Sequence, residues 1–468
     1  MHKMTGIVKR ALAAALCAAL IWVSGAALAQ SSGNLSAGSF VEEGGGALFV
    51  AREDGVYRMA KDGTDAVKIV EGPATALQFY DGRLYYLAQT YSPDPDGILE
   101  HVLTAQTPMS CLPDGTGARK AGDSRRVGTE QSYNETSSLF GLESSDAYVG
   151  YRGFTVYNGA IYFLGNCGEG GSYTSSQRMP DENGVEQVTS ADTRYESGIA
   201  LYKMNLDGSG LTQLTGVLGN SIALMALCDG RIYVAAGYRD ALYAYNFINY
   251  EIYDTDGNRL FVFEADDPEE SAFFSDAGAF YHIPLTIDGD GENILVSLAQ
   301  SEGDFIASEF SRLKSDGTLD TIALELNNIP GVRQSGVLYY VGSESENIFY
   351  DDGFDYGASM GIYALEEGEA TPGRKLAALP FNEYSFNLKL NVVDGYVYFV
   401  GADQALNRVS VEGGQVEQLE ESGFVQAVTT PSATWAAQSR KSIFKTKRGK
   451  YGKIEACEQK DYWSPWKK

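Results

Sequence analysis

A short motif recurs seven times along the chain and is the feature that most limits how the chain can fold. In each copy a turn glycine precedes one variable residue, an aliphatic residue, usually an aromatic residue, and then small or apolar residues. The seven glycines are Gly46, Gly82, Gly159, Gly230, Gly291, Gly336 and Gly395, and the copy at Gly291 is the most degenerate. A second motif, an apolar or aromatic run that leads into Asp-Gly or Glu-Gly, alternates with the first. Asp-Gly favours two-residue hairpins, because both central positions need positive φ. The two motifs therefore predict two hairpins per repeat, which form one four-stranded sheet, and the best-preserved copy covers 198–236.

Such a series of short strands predicts an all-β fold, a β-propeller of four-stranded antiparallel blades. The chain contains 53 glycines, and its mature part shows no convincing amphipathic helix. In a propeller, each sheet buries both faces against its neighbours around a ring. Seven copies favour seven blades over 30–424, while the weak copy at Gly291 leaves six or eight open. The aliphatic-aromatic pair of the motif, such as Leu84-Tyr85, is expected in the core.

The two ends of the chain differ from the repeats. Residues 1–29 combine Lys3, Lys9 and Arg10 with a short apolar run and Ala27-Leu28-Ala29, which predicts a signal peptide cleaved after Ala29. No later segment approaches the roughly 20 apolar residues of a membrane helix. We therefore expect a protein that is secreted or associated with the cell surface, with no transmembrane segment in the mature chain. Residues 425–468 form a basic tail that is interpreted as disordered, as a contact with anionic polymer or with the acidic body, or as a frame error in the gene.

Charge and residue usage exclude several functions. The formal net charge is -26, and between residues 30 and 430 there are 59 acidic and 23 basic residues. This body would repel nucleic acid, so no nucleic-acid partner is expected. The mature chain keeps two histidines, which argues against histidine-based zinc sites and Ser-His-Asp catalysis. Its four cysteines, Cys111, Cys167, Cys228 and Cys457, match no disulfide framework, so buried unpaired thiols are expected and a disulfide is left open.

The paired patterns Asp-Gly-x-Ile-Tyr-Tyr and Leu-Tyr-x-x-x-x-Asp-Gly allow a resemblance to be stated. Over about residues 40 to 424 the chain resembles bacterial secreted propellers described as similar to the low-density-lipoprotein-receptor-related β-propeller, a group largely of unknown function. The resemblance implies a fold and no activity. The Tyr-Trp-Thr-Asp motif of the receptor propellers is missing, because no tryptophan occurs between Trp22 and Trp435. Ligand sites of the receptors are therefore not transferred.

Four insertions are expected on one face of the propeller. If the glycine turns join the first strand to the second and the third to the fourth, all other connections lie at the opposite face. The insertions 88–98, 122–152, 166–196 and 343–360 are all of this second kind. We call their side the insertion-bearing face and the opposite side the plain face. The insertions are predicted to be long loops, and loops on a rigid scaffold often carry function.

The candidate ligand-binding residues are aromatic and acidic residues of these insertions: Tyr91, Tyr173, Tyr350, Asp351, Asp352, Phe354, Asp355 and Tyr356. Aromatic faces beside carboxylates suit sugar rings or cationic groups. The sequence predicts no cofactor and no catalytic residue, although the carboxylates of 349–356 leave calcium binding open without the EF-hand order.

These residues predict a monomeric, exported, non-enzymatic binding module for an extracellular glycan, protein or peptide. The alternative is a carboxylate-dependent extracellular hydrolase or lyase on the same face.

Overall fold

The structure is a computed structural model. It describes residues 34, 39–93, 101–133, 143–180, 186–219, 223–228, 230–238, 247–264, 283–290, 293–302, 305–313, 319–323, 332–343, 360–366, 373–379, 389–401 and 405–420. In parts of some strands only the backbone is described. No helix within these ranges is long and apolar enough to cross a membrane.

The described strands form seven sheets, which we number along the chain. Sheet 1 contains β1 (Val41–Gly44), β2 (Ala47–Arg52), β3 (Gly55–Met59) and β4 (Val67–Glu71). Sheet 2 contains β5 (Ala74–Tyr80), β6 (Arg83–Pro93), β7 (His101–Cys111), β8 (Arg119–Lys120), β9 (Arg125–Tyr133) and β10 (Glu143–Val149). Sheet 3 contains β11 (Arg152–Tyr157), β12 (Ala160–Pro180), β13 (Glu186–Asn205) and β14 (Thr212–Gln213). Sheet 4 contains β15 (Ala223–Cys228), β16 (Arg231–Tyr238), β17 (Phe247–Asp254) and β18 (Arg259–Glu264).

The remaining three sheets repeat the four-stranded pattern. Sheet 5 contains β19 (Ile283–Asp290), β20 (Asn293–Glu302), β21 (Phe305–Leu313) and β22 (Leu319–Ala323). Sheet 6 contains β23 (Val332–Gln334), β24 (Val337–Ser343), β25 (Met360–Glu366) and β26 (Arg374–Ala378). Sheet 7 contains β27 (Leu390–Val393), β28 (Tyr396–Val400), β29 (Leu406–Ser410) and β30 (Glu417–Glu420).

The sheets are arranged as a propeller. Six of them are antiparallel with four strands in chain order, and sheet 2 has the order β10-β9-β7-β6-β5, with β8 also paired to β7. The first strand of each sheet lies beside the first strand of the next, and β27 lies beside β1. The predicted all-β propeller is therefore confirmed. Because the sheets are counted over the described residues only, the total of seven blades stays a prediction.

Six glycines of the first motif lie at the turn between the first and second strands of their sheets, and Gly291 lies outside the described residues. Asp81 and Gly82 have φ of 48° and 73°, and Asp394 and Gly395 have φ of 49° and 77°, as a two-residue hairpin requires. The segment 198–236, however, contains the end of sheet 3 and the start of sheet 4. The best-preserved copy of the repeat is thus split between two sheets, because the sequence shows the motifs but not where one blade ends.

The second Asp-Gly turn of a sheet differs from the predicted two-residue hairpin. In sheet 1 Gly63 N donates to Ala60 O at 2.9 Å, Ala60 N donates to Thr64 O at 2.8 Å, and only Gly63 of the three loop residues has positive φ. This is a three-residue loop, in which Asp62 Oδ1 accepts hydrogen bonds from the backbone and hydroxyl of Thr64 at 3.0 and 2.6 Å. Asp is therefore used here to cap the turn.

Glycine in the second turn is also required by the neighbouring sheet. A Cβ on Gly115 of sheet 2 would lie 2.4 Å from the carbonyl oxygen of Ile69, in the outermost strand of sheet 1. A Cβ on Gly63 of sheet 1 would lie 3.1 Å from a methyl group of Leu419 in sheet 7. Glycine in this motif is therefore required by the close packing between adjacent sheets as well as by the geometry of the turn.

The core lies between the sheets, where the motif residues meet. Leu84 is 0 % and Tyr85 is 1 % exposed. The equivalent tyrosines of sheets 3, 4, 6 and 7 are also buried: Tyr162, Tyr233, Tyr339 and Tyr398. The prediction that this pair packs in the core is confirmed for these residues.

Buried polar side chains connect the innermost strands of adjacent sheets. Gln78 of β5 accepts from Val156 N of β11 at 2.7 Å and donates to Phe154 O at 2.9 Å. Glu42 of β1 accepts from Phe79 N of β5 at 3.3 Å. These side chains satisfy backbone groups of the next sheet, which would otherwise be buried without a partner.

Hydrogen bonds from buried side chains to backbone groups also join the last sheet to the first. Asn391 of β27 accepts hydrogen bonds from Phe40 N and Val41 N at 2.7 and 2.9 Å. Asn34 donates to Val392 O and accepts from Val392 N, both at 2.7 Å. The beginning of the propeller domain is thus held against sheet 7 by two asparagines.

Candidate ligand-binding face

The insertions of sheets 2 and 3 are hairpins of paired strands where long loops were predicted. The strands β6 and β7 pair out to Pro93 and His101, and β12 pairs with β13 out to Pro180 and Glu186. The insertion 122–152 forms β9 and β10. The prediction of loops was wrong for these three insertions, because continued pairing satisfies backbone hydrogen-bonding groups that a loop would leave open. The fourth insertion, 343–360, lies almost wholly outside the described residues.

The added hairpin β9–β10 connects sheets 2 and 3 at the insertion-bearing face. Arg125 and Arg126 of β9 are paired with Gln106 and Ala105 of β7, which attaches the hairpin to sheet 2. Its second strand, β10, lies beside β13 of sheet 3. Three hairpins therefore stand next to one another on two adjacent sheets, and their relative positions are fixed at the base.

A cation enclosed by aromatic rings lies at the foot of this hairpin. The Arg125 guanidinium carbon is 4.8 Å from the ring centroids of both Phe163 and Tyr202, and 5.3 Å from that of Tyr151. Phe163 and Tyr202 are stacked with centroids 5.4 Å apart, and Tyr151 lies 4.5 Å from Phe163. A guanidinium beside aromatic rings is attracted by their quadrupoles, more strongly when it is partly desolvated. The half-buried Arg125 therefore ties β9 to the core of sheet 3.

Hydrogen bonds complete the foot of the hairpin. Asn166 Oδ1 accepts from Val149 N at 2.8 Å, and Gln106 Oε1 accepts from Tyr151 N at 3.0 Å. The Tyr151 hydroxyl donates to Asp123 O at 2.6 Å, and burial raises the pKa of this phenol, so it stays a neutral donor at physiological pH. Both ends of the insertion are thereby held in place.

The structure places two of the eight predicted ligand-binding residues on strands of this face. Tyr91 lies on β6 opposite Leu103, is half-buried, and donates its hydroxyl to Gln89 Oε1 at 3.1 Å. Burial raises the pKa of Tyr91, which keeps it neutral. Tyr173 lies on β12 opposite Arg194, and only its backbone is described. The other six lie outside the described residues: Tyr350, Asp351, Asp352, Phe354, Asp355 and Tyr356.

Sequence reasoning missed the arginines that organise this face. Arg125 and the exposed Arg126 follow each other, and the Arg126 guanidinium lies 4.6 Å from the ring of Tyr148. The sequence signal that could have drawn attention to them is a pair of consecutive arginines in an acidic chain. Their partners are 22 or more positions away in the sequence, so the signal does not reveal which rings they meet.

The described part of the chain contains no group of three or more His, Cys, Asp or Glu side chains that is placed to hold a metal ion. The calcium hypothesis concerns 349–356, which is not described. Cys111 and Cys167 are buried, and Cys111 is a free thiol. Cys228 lies on β15 with only its backbone described, and Cys457 lies outside the described ranges.

The chain is similar to several solved structures, each with a TM-score below 0.5. No protein-family model matches the sequence, and no curated protein matches it. Among solved structures, the chain is similar to the β-propeller domain of the Trilobed protease from Pyrococcus furiosus, at 10 % identity and TM-score 0.39, over 82 % of this chain and 95 % of that one. Citrobacter koseri AztD is 11 % identical with TM-score 0.35, over 81 % and 95 %.

A third similar structure, Pyrococcus horikoshii acylaminoacyl peptidase, is 11 % identical with TM-score 0.40. The similarity covers 84 % of the present chain but 54 % of the peptidase, so this chain matches about half of that enzyme's length. The strand topology, and not these similarities, establishes the propeller.

Proposed function

We propose that the protein is an exported, monomeric binding module that recognises an extracellular glycan, protein or peptide on its insertion-bearing face. The observation that carries this proposal is the group of three neighbouring hairpins, β6–β7, β9–β10 and β12–β13, on two adjacent sheets. Their common base is fixed by paired backbone, an enclosed arginine and buried hydrogen bonds. A surface that is already ordered loses less conformational entropy on binding, so it can be selective with few contacts.

The proposed ligand contacts combine this ordered wall with the aromatic and acidic residues of the insertions. Tyr91 presents a half-buried ring near the outer end of β6. Tyr173 lies on the neighbouring long hairpin, and 350–356 follows β24 in the insertion of sheet 6. Rings of this kind stack on sugars and pack against peptide side chains, and carboxylates accept hydrogen bonds from hydroxyl or ammonium groups. Membership in the secreted group related to the lipoprotein-receptor propellers is part of the same proposal.

The test is a glycan and peptide array probed with the full mature chain, followed by calorimetry on each hit. Tyr91→Ala should weaken binding about 10-fold, since one aromatic contact is worth about 1–2 kcal/mol. Tyr80→Ala is the matched control, because Tyr80 is also half-buried and belongs to the same sheet but lies at the plain face. It should change the affinity less than about 2-fold.

A second variant, Asp351→Asn with Asp352→Asn and Asp355→Asn, tests the acidic segment. Weaker binding without any product release supports a binding module. Product release that disappears in this variant supports the hydrolase or lyase instead. Affinity that is unchanged in this variant and in Tyr91→Ala contradicts the assignment of the ligand to this face.

A further inference from the structure

The enclosure around Arg125 has the properties of a built site for a guanidinium group. Its rings belong to the core of sheet 3, on Phe163 of β12, Tyr202 of β13 and Tyr151 just before β11. The guanidinium comes from a different element, the added strand β9, which is attached to sheet 2. The cation can therefore be removed without removing any member of the enclosure.

The backbone approaches the enclosed guanidinium closely at Gly165. A Cβ on Gly165 would lie 2.5 Å from Nη1 of Arg125 and 3.0 Å from Cε2 of Phe163, so the guanidinium would have to shift to make room for it. Gly165 does not have positive φ, so its conformation does not explain the absence of a side chain. The Arg125 guanidinium and the Phe163 ring both lie in the space that a side chain at Gly165 would need.

The wall of the enclosure also provides one acceptor for the guanidinium. Arg125 Nη1 donates to the carbonyl oxygen of Asn166 at 3.5 Å, and that oxygen also accepts from the Tyr202 hydroxyl at 3.1 Å. The guanidinium therefore lies within 5.3 Å of three ring centroids and contacts one carbonyl oxygen. A planar cation suits such a site better than a tetrahedral ammonium, which is more strongly hydrated.

We infer that Tyr151, Phe163 and Tyr202, with Gly165 and the carbonyl of Asn166, form a guanidinium-binding cage. Arg125 of the same chain fills this cage, and its occupancy sets the position of the β9–β10 hairpin. The ligand class is the guanidinium of an arginine side chain, or a small alkylguanidinium in its place. Arg125 is a positioning residue for the insertion-bearing face, and its importance for ligand recognition rests on the proposed function above.

The test is chemical rescue of Arg125→Ala in the full chain, read by hydrogen exchange of backbone amides. Amides of 125–133 and 143–149 should exchange at least about 10-fold faster than in the wild type, because local opening of the hairpin becomes easier. Amides of β27 and β28 serve as the reference and should be unchanged. Millimolar methylguanidinium should restore slow exchange in the hairpin. Methylurea, which is planar but neutral, should not restore it.

Arg126→Ala is the matched control, because Arg126 is the next residue on the same strand but is exposed and lies beside the ring of Tyr148, outside the enclosure. Its hairpin should not respond to methylguanidinium. Arg125→Lys provides a second route if Arg125→Ala fails to fold: it keeps the positive charge without the planar guanidinium, and amides of the hairpin should exchange faster than in the wild type.

The inference is overturned if the hairpin of Arg125→Ala exchanges as in the wild type, or if methylurea rescues as well as methylguanidinium. It is also overturned if methylguanidinium does not restore slow exchange in Arg125→Ala, or if Arg125→Lys leaves exchange unchanged. Because no extracellular ligand enters these measurements, a failed array leaves this result intact, and a failed rescue leaves the binding proposal standing.

Discussion

Replacing Asn391 by alanine tests how the two ends of the propeller domain are held together. Asn391 is 0 % exposed and accepts hydrogen bonds from the backbone of Phe40 and Val41, which belong to the opposite end of the domain. Alanine removes the acceptor and leaves two buried N–H groups without it. Each such group costs about 1–3 kcal/mol, so Asn391→Ala should lower the free energy of unfolding by about 4 kcal/mol.

Urea unfolding followed by circular dichroism measures this loss. With an m-value of about 3 kcal/mol/M, the midpoint should fall by about 1.3 M. Asn407→Ala is the matched control in the same sheet. The Asn407 side chain is also buried and donates to Ala405 O at 2.9 Å, but this oxygen accepts a second hydrogen bond from Gly401 N. Asn407→Ala should therefore lower the free energy of unfolding by about 1 kcal/mol.

The reasoning is refuted if Asn391→Ala is no more destabilising than Asn407→Ala. The contribution of Asn34 to stability can be separated from that of Asn391 with a double-mutant cycle. Asn391 Nδ2 donates to Asn34 O at 3.5 Å, so the two residues belong to one network and their effects should not add.

Three further predictions concern turns, a thiol and acid stability. Gly82→Ala should lower the free energy of unfolding by about 1–2 kcal/mol, because alanine is strained at positive φ. Gly115→Ala should lower it by about 1–3 kcal/mol more, because its Cβ would also meet Ile69 O. Equal urea midpoints for the two variants would contradict this prediction. Burial raises the pKa of Cys111 to about 11. Alkylation of this thiol at pH 8, followed by mass spectrometry, should therefore be about 100-fold slower in the folded than in the unfolded chain. Equal alkylation rates would contradict this prediction, since they would show an accessible thiolate. Hydrogen bonds within its turn lower the pKa of Asp114, so its contribution is present above the unfolded pKa of about 3.9 and is lost as the pH falls through the folded value. The acid loss of stability in urea titrations should therefore be smaller in Asp114→Asn, and an unchanged pH dependence would exclude this role.

Much of the scaffold could be predicted from the sequence because its signals are local. The glycine turns predicted the hairpins, and the Leu84-Tyr85 type of pair predicted which residues are buried. The geometry of the second turn was predicted incorrectly, since Asp62-Gly63 has the same letters as a two-residue hairpin but belongs to a loop of three. The assignment of 198–236 to one blade failed for a related reason: a motif marks a turn, and the sheet to which each strand belongs depends on packing.

The candidate site was less predictable than the scaffold. The side of the propeller that carries the insertions follows from alternating strand direction, and the structure places Tyr91 and Tyr173 there. That the insertions are paired strands was not visible, because the polar sequence of 166–196 has no clear alternation. The role of Arg125 was equally hidden, since its rings lie 26 to 77 positions away.

The sequence by itself determined the all-β class, the position of the turns and the side on which the insertions lie. Each of these depends on the φ of single residues or on the alternation of a few neighbours, and such preferences act locally. Only the tertiary structure decided that Asn391 holds the start of β1, that β9 joins β7, and that Arg125 enters the core of sheet 3. Each of those contacts joins a polar group to a backbone segment or ring that is distant in the sequence. Many other residues of a suitable type could make the same contact. The choice among them is made by the packing of all the sheets together, which brings one particular pair within hydrogen-bond or ring-contact distance.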